Sequence, residues 1–145
     1  MISYIIPHKD RKGLLDFHLL ALSRSTFNDF EVIVVNDGSD YELKGEDFQF
    51  DFPLKIVNLE FNYGPASARN IGVSKADGDI LLFVGDDCMP TEDMMLHHYV
   101  AHLDSSVDIV QGYTSFHPNQ METHFMKFLD GSGIVTGKQI GRAHV

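Results

Sequence analysis

Apolar residues fall along this chain in short runs separated by polar clusters, and the runs alternate in character. Ile2 to Ile6 is a β-branched run ended by Pro7, which predicts a buried strand. Leu14, Leu15, Phe17, Leu19, Leu20 and Leu22 follow at spacings that put most of them on one helical stripe. Glu31-Val32-Ile33-Val34-Val35 is the clearest strand, stopped by the turn formers Asn36 to Asp40. Tyr41 to Phe52 has no clean period and reads as loop with room for one helical turn. Leu54 to Leu59 makes a third strand. Pro65 suits the first position of a helix running to Ala76 and ending at Asp77-Gly78. Ile80 to Val84 has no polar face, which predicts a central fourth strand. Thr91 is placed to cap a helix through His102. Val107 to Tyr113 suggests a fifth strand and Met121 to Leu129 another helix.

Strands alternating with helices define an α/β fold with a mostly parallel central sheet flanked by helices. In such sheets ligands gather beyond the carboxyl ends of the strands. His8 to Arg11, Asn36 to Asp40 and Gly85 to Cys88 each follow a predicted strand, so all three belong on one rim.

The 145 residues have room for one domain, and 43% apolar with 22% charged residues describes a globular chain. We expect residues 1–135 to form it and 136–145, which lack periodicity, to be a flexible tail. Eleven basic against twenty-one acidic residues give a formal charge of −10, which disfavours a nucleic-acid partner. A phosphate ligand then needs a cation to carry the attraction locally. Cys88, the single cysteine, excludes an intrachain disulfide and fits a reducing compartment. The N-terminus lacks a basic leader and cleavage site, and no apolar run spans a bilayer. The expectation is a cytoplasmic protein, with peripheral attachment to a membrane left open.

Each candidate cluster has an ordinary reading as well as a chemical one. Asp37-Gly38-Ser39 can accept from a base or ribose, or simply turn the chain. Asp86-Asp87 can take a hard cation such as Mg²⁺ or Mn²⁺ with substrate phosphates, or stand in water at a helix entry. Arg69, in Gly64 to Gly72, can meet a phosphate, or lie on a helix surface. His98 and His102 share a helix face but lack the His-Glu-x-x-His pattern of a zinc site, and a solvated face is favoured. The methionines read as packing residues.

In combination the clusters say more. Ile5-Ile6-Pro7, Glu31 through Ser39, Asn62-Tyr63-Gly64 with Ala68 to Gly72, and Ala76 through Asp87 occur in an order and spacing that resembles family 2 glycosyltransferases, over roughly residues 2–113. The resemblance implies a Rossmann-like GT-A fold, truncated here, that binds a UDP- or GDP-type nucleotide-diphosphate sugar with Mg²⁺ or Mn²⁺. It implies transfer, with inversion, to a hydroxyl of an acceptor glycan or lipid in polysaccharide or glycoconjugate synthesis. By the same resemblance Asp37 recognises the base, Pro7 and His8 lie along the nucleoside, and Arg69 lies near the nucleotide. Asp87 matches the last position of the metal-binding DxD triplet and Asp86 contacts ribose or sugar. Here that triplet reads Gly85-Asp86-Asp87, and His8-Lys9-Asp10 replaces the usual residues after the first strand. The general base is expected well past Asp87, beyond this chain; the flank of Asp130 does not match one. A sheet truncated this way exposes an edge, so a homodimer is compatible.

Two other functions were weighed. A sugar nucleotidyltransferase needs a glycine-rich basic loop after the first strand, and His8 to Gly13 has one glycine. A non-catalytic nucleotide-binding or interaction domain agrees with the missing base. No Gly-x-Gly-x-x-Gly follows a strand, which disfavours a dehydrogenase.

Overall fold

The computed structural model describes residues 1–114. Its elements run β1 (Ile2–His8), α1 (Lys12–Leu22), β2 (Phe30–Asp37), a 3-10 turn at Gly45–Asp47, β3 (Leu54–Leu59), α2 (Pro65–Val73), β4 (Ile80–Phe83) and α3 (Met94–Ala101). The four strands are parallel in the order β3-β2-β1-β4. The chain therefore steps outward from β1 through β2 to β3 and then crosses to the other side of β1. That reversal places a topological switch point between β1 and β4, where doubly wound sheets open a crevice at their carboxyl ends.

Helices cover both faces. Successive strand residues point to opposite sides, and the Tyr4 hydroxyl bonds His18 of α1 while Ile5 packs with Ala68 of α2. The core under α2 joins Ile5, Ile33, Val35 and Ala68. Gly72 lets this helix lie close, since a Cβ there would stand 2.4 Å from Ile5 Cγ2. Pro7 sits inside β1 without breaking the ladder. Ile2 N–H donates toward the β2 side and Ile5 C=O accepts from Val84, so Pro7 faces the β4 side. The β4 pairing stops at Phe83, opposite Ile5, and the missing N–H costs no bond.

Several expectations change. β4 is an edge strand among the described residues, not a central one, with Leu81 and Phe83 partly exposed. β1 and β2 hold the centre. Residues 107–113 form no strand. β2 runs through Asn36 and Asp37, because β3 supplies Asn58 and Leu59 as partners. α2 ends at Val73, and Ser74 and Lys75 close its last turn. The Thr91 hydroxyl donates to Asp93 rather than capping α3, which starts at Met94. On α1 the buried residues are Leu15, His18, Leu19 and Leu22, leaving Leu14, Phe17 and Leu20 outside. His98 is buried, not solvated, and burial lowers its pKa, with His102 and His97 acting the same way. Met95 is core but Met89 is exposed. The suggested helix at Met121 to Leu129 and the tail lie outside the described residues.

The amino edge of the sheet is held by a buried polar cluster. Glu31, 3% exposed, accepts from the Ser3 hydroxyl at 2.6 Å and from Asp77 N–H at 2.7 Å, and pairs with Lys55 at 2.7 Å. Lys55 also meets Asp77, and Gly78 N–H donates to Ser3 Oγ. The loop after α2 is thereby tied to β1 and β2. Burial alone would raise the Glu31 carboxyl, yet Lys55, Ser3 and the Asp77 amide hold it below its ordinary value. Replacing Glu31 by Ala leaves the Ser3 hydroxyl and the Asp77 amide without their acceptor. We expect a loss of about 3 kcal/mol in urea denaturation, with Lys55→Ala costing less because Lys55 is partly solvated.

Candidate active site

The carboxyl rim gathers two clusters. The first spans the switch point. Asp86 follows β4 and is wholly buried, a costly place for a carboxylate without partners. His8, at the end of β1, gives it Nδ1 at 2.7 Å. With Nδ1 donating to that carboxylate, Nε2 of a neutral imidazole accepts from the Tyr41 hydroxyl at 2.8 Å. Arg11 lies beside both acids: Nη2 pairs with Asp86 Oδ1, and Nη1 donates to Asp87 Oδ2 at 3.1 Å. Asp86 Oδ1 has charge contact with the guanidinium but completes no hydrogen bond. Asp87 is 54% exposed at its side chain, so only one of the adjacent acids faces water.

The second cluster surrounds Asp37, the last residue of β2 and 4% exposed. Its two oxygens accept from Tyr63 N–H at 2.8 Å and Gly64 N–H at 2.9 Å. The carboxylate thus fixes the loop that enters α2, and each oxygen keeps a further lone pair. Gly38 makes the close approach possible: it has φ +66°, and a Cβ there would stand 2.4 Å from the Phe61 carbonyl carbon.

The two clusters are stitched together through the β1 and β2 loops. Lys9 Nζ donates to Gly38 O at 2.7 Å, Asp10 N–H donates to Ser39 Oγ, and Asp40 N–H donates to Asp10 Oδ1. Asp10 takes φ 55°, a left-handed conformation uncommon outside glycine, and these bonds over-determine it.

Of the residues read from the sequence, His8 meets Asp86 directly, Asp86 and Asp87 are joined through Arg11, Asp37 holds the neighbouring loop, and Pro7 lies in β1 beside His8. Arg69 is half-buried on α2 and makes no hydrogen bond or ion pair with a described residue. Arg11 and Tyr41 were missed as site residues. Arg11 showed only as one member of a basic stretch, and its partners lie 75 and 76 positions away. Among the described residues no three potential metal ligands converge.

Behind the first cluster, His18 of α1 is fully buried, with Nε2 at 2.8 Å from the Tyr4 hydroxyl. Burial drives its pKa down to about 4, against the opposing pull of the Cys88 backbone and of Asp86 and Asp87. Nδ1 lies near that backbone without completing a hydrogen bond.

The architecture is the GT-A fold of glycosyltransferases. The glycosyl transferase family 2 model matches residues 3–132, and the chain belongs to that family. The glycosyltransferase YfnE of Bacillus subtilis, itself uncharacterized, is 36% identical over 113 residues, covering 76% of this chain and 29% of YfnE. The chain thus spans less than a third of that relative. TarS 1-349 of S. aureus, solved in complex with UDP-GlcNAc, superposes with a TM-score of 0.71 at 23% identity, over 84% of this chain and 37% of TarS. The mannosyltransferase PcManGT of Pyrobaculum calidifontis, solved with GDP-Man and Mn²⁺, gives 0.57 at 23% identity over 65% and 30%.

The His18 shift sets a pH dependence. Its unfolded value near 6.5 exceeds the folded value, so between pH 6.5 and about 4 the unfolded chain binds more protons and acid lowers stability. We expect about 2 kcal/mol less stability at pH 5 than at pH 7 from this residue. Urea denaturation at the two pH values should show that slope in the native chain, and His18→Gln should flatten it.

Proposed function

We propose that this chain is the donor-binding portion of an inverting, metal-dependent glycosyltransferase that takes a UDP- or GDP-type sugar. The acceptor is a glycan or lipid hydroxyl, and the product belongs to polysaccharide or glycoconjugate synthesis. The observation that supports this most is the acid pair at the switch point: Asp86, buried, with Oδ1 lacking a hydrogen bond, beside the exposed Asp87. Mg²⁺ or Mn²⁺ takes one or two carboxylates from protein when substrate phosphates and water complete the shell, and Asp87 is the one open to water here. TarS, solved with UDP-GlcNAc, and PcManGT, solved with GDP-Man and Mn²⁺, agree with such a donor and metal.

When bound, the metal neutralises the diphosphate and stabilises it as a leaving group. The chain's own residues do the rest of the donor binding. Asp87 is the metal ligand. Asp37 accepts from the base through lone pairs its loop amides leave unused, while those amides fix its position. Pro7 and His8 line the nucleoside, and His8 is held by Asp86 and Tyr41. Arg69, without a hydrogen bond or ion pair to a described residue, is available to phosphate. Asp86 reaches ribose or sugar only once its cover of Arg11 is drawn aside, since it has no exposed surface. The base that deprotonates the acceptor belongs to sequence beyond this chain.

Calorimetric titration of UDP and of GDP, each with Mn²⁺ and with EDTA, tests this reading. We expect manganese-dependent binding of one nucleotide, lost in Asp87→Ala. Asp37→Ala should weaken binding with and without metal by about tenfold or more, the scale of one charged hydrogen bond. Equal metal dependence in the native chain and Asp87→Ala removes the metal assignment. Absence of binding by either nucleotide removes the donor-site reading for this chain.

A further inference from the structure

Arg11 is poorly explained as a structural residue. It stands at the N-cap of α1, where its side chain makes no capping bond and only its carbonyl serves the helix, accepting from Leu14 and Leu15. Its side chain is 48% exposed, yet its guanidinium ends on a wholly buried carboxylate. On Asp86 Oδ1 it supplies charge without a completed hydrogen bond, and on Asp87 Oδ2 it donates across 3.1 Å. A guanidinium stays charged at any working pH. A divalent cation on Asp87 needs a carboxylate oxygen at about 2 Å. Arg11 and the cation cannot both hold Asp87 Oδ2.

We propose that Arg11 is an exchangeable counter-ion for the Asp86–Asp87 pair, yielding Asp87 to the metal and Asp86 to the donor's ribose or sugar, and carrying its charge to the donor diphosphate. The inference rests on the reading of that pair as the metal–diphosphate site. The geometry permits the exchange. The α1 N-terminus anchors the backbone, the stem lies half in water, and His8 stays on Asp86 Oδ2 throughout. Arg11 thus opposes metal binding before the nucleotide arrives and favours the nucleotide afterwards. A fixed bridge would do neither.

The test is the free Mn²⁺ signal in electron paramagnetic resonance. Mn²⁺ is titrated into the full chain, native or Arg11→Gln, with and without saturating UDP or GDP. Without nucleotide, Arg11→Gln should bind Mn²⁺ roughly tenfold more tightly, the scale of removing one neighbouring charge in partly solvated surroundings. With Mn²⁺ saturating, the same variant should bind the nucleotide diphosphate about tenfold more weakly by calorimetry, while the matching nucleoside is unaffected. Opposite signs for metal and diphosphate are the signature. Unchanged or weaker Mn²⁺ binding by Arg11→Gln overturns the proposal, near-ultraviolet circular dichroism confirming its fold. Should that variant not fold, Arg11→Lys replaces it. A lysine cannot bridge both acids, so a smaller rise in Mn²⁺ affinity is expected and no rise overturns the proposal. If the native chain binds no Mn²⁺ even with nucleotide, the metal-site reading fails and this inference with it. A native chain that binds Mn²⁺ while the variants match it sinks only the role of Arg11.

Discussion

A carboxylate taken wholly out of water must be met by donors or cations, and Asp86 is such a group placed where the sheet reverses direction. Much of the rim can be read as the answer to that requirement. His8 at the end of β1 turns inward to reach it, Tyr41 completes the imidazole, and Arg11 closes over the outer oxygen. The β1–β4 crevice is therefore lined by groups already committed to one another. Their alignment does not wait for a ligand, which is what a site for a charged donor requires if its ordering cost is to be met by folding.

The two ends of the sheet divide the work. At the amino edge, Glu31 takes three donors, Ser3 and Asp77 on Oε1 and Lys55 on Oε2, and they tie the loop after α2 to β1 and β2. At the carboxyl edge, Asp37 keeps unused lone pairs, Asp86 keeps an oxygen without a hydrogen bond, and Asp87 faces water. Both edges bury acids, but the carboxyl edge leaves more acceptor capacity, and only there does a neighbouring acid face water. This difference separates a polar cluster that holds the fold from one that can bind, and it follows from counting donors rather than from burial.

The sequence showed the parallel α/β plan because Val32 to Val35 is continuous and apolar, the runs at Ile2 and Leu54 carry β-branched residues, and Pro65 marks a helix start. It read β4 as central, where among the described residues it is an edge, because a short apolar run looks the same in both places. Which strand lies beside which is decided by crossover direction, and β4 joins β1 on the side away from β2. Asn36 and Asp37 read as turn formers but belong to β2, since pairing with β3 overrides local preference. The acids of the candidate site were legible as strand-end clusters. Their inequality was not: adjacent in sequence, Asp86 is sealed and Asp87 is open. Arg11 was hidden for a related reason, because a pairing across more than seventy residues leaves no local pattern.

An acidic chain that recognises an anion must reverse its own field locally. With a formal charge of −10, the surface at large repels a nucleotide diphosphate. Reversal on this rim has few sources among the described residues: Arg11 and Lys9 on the β1 loop, Arg69 on α2, and whatever cation the two acids hold. Lys9 is already engaged, donating to Gly38 O and paired with Asp10. On the proposed reading, the two arginines and a divalent ion carry the attraction between them. Two adjacent carboxylates would defeat it if left bare, so their charge has to be covered at every stage of donor binding. That constraint makes the position of Arg11, rather than the acids alone, the term on which the sign of the local field depends.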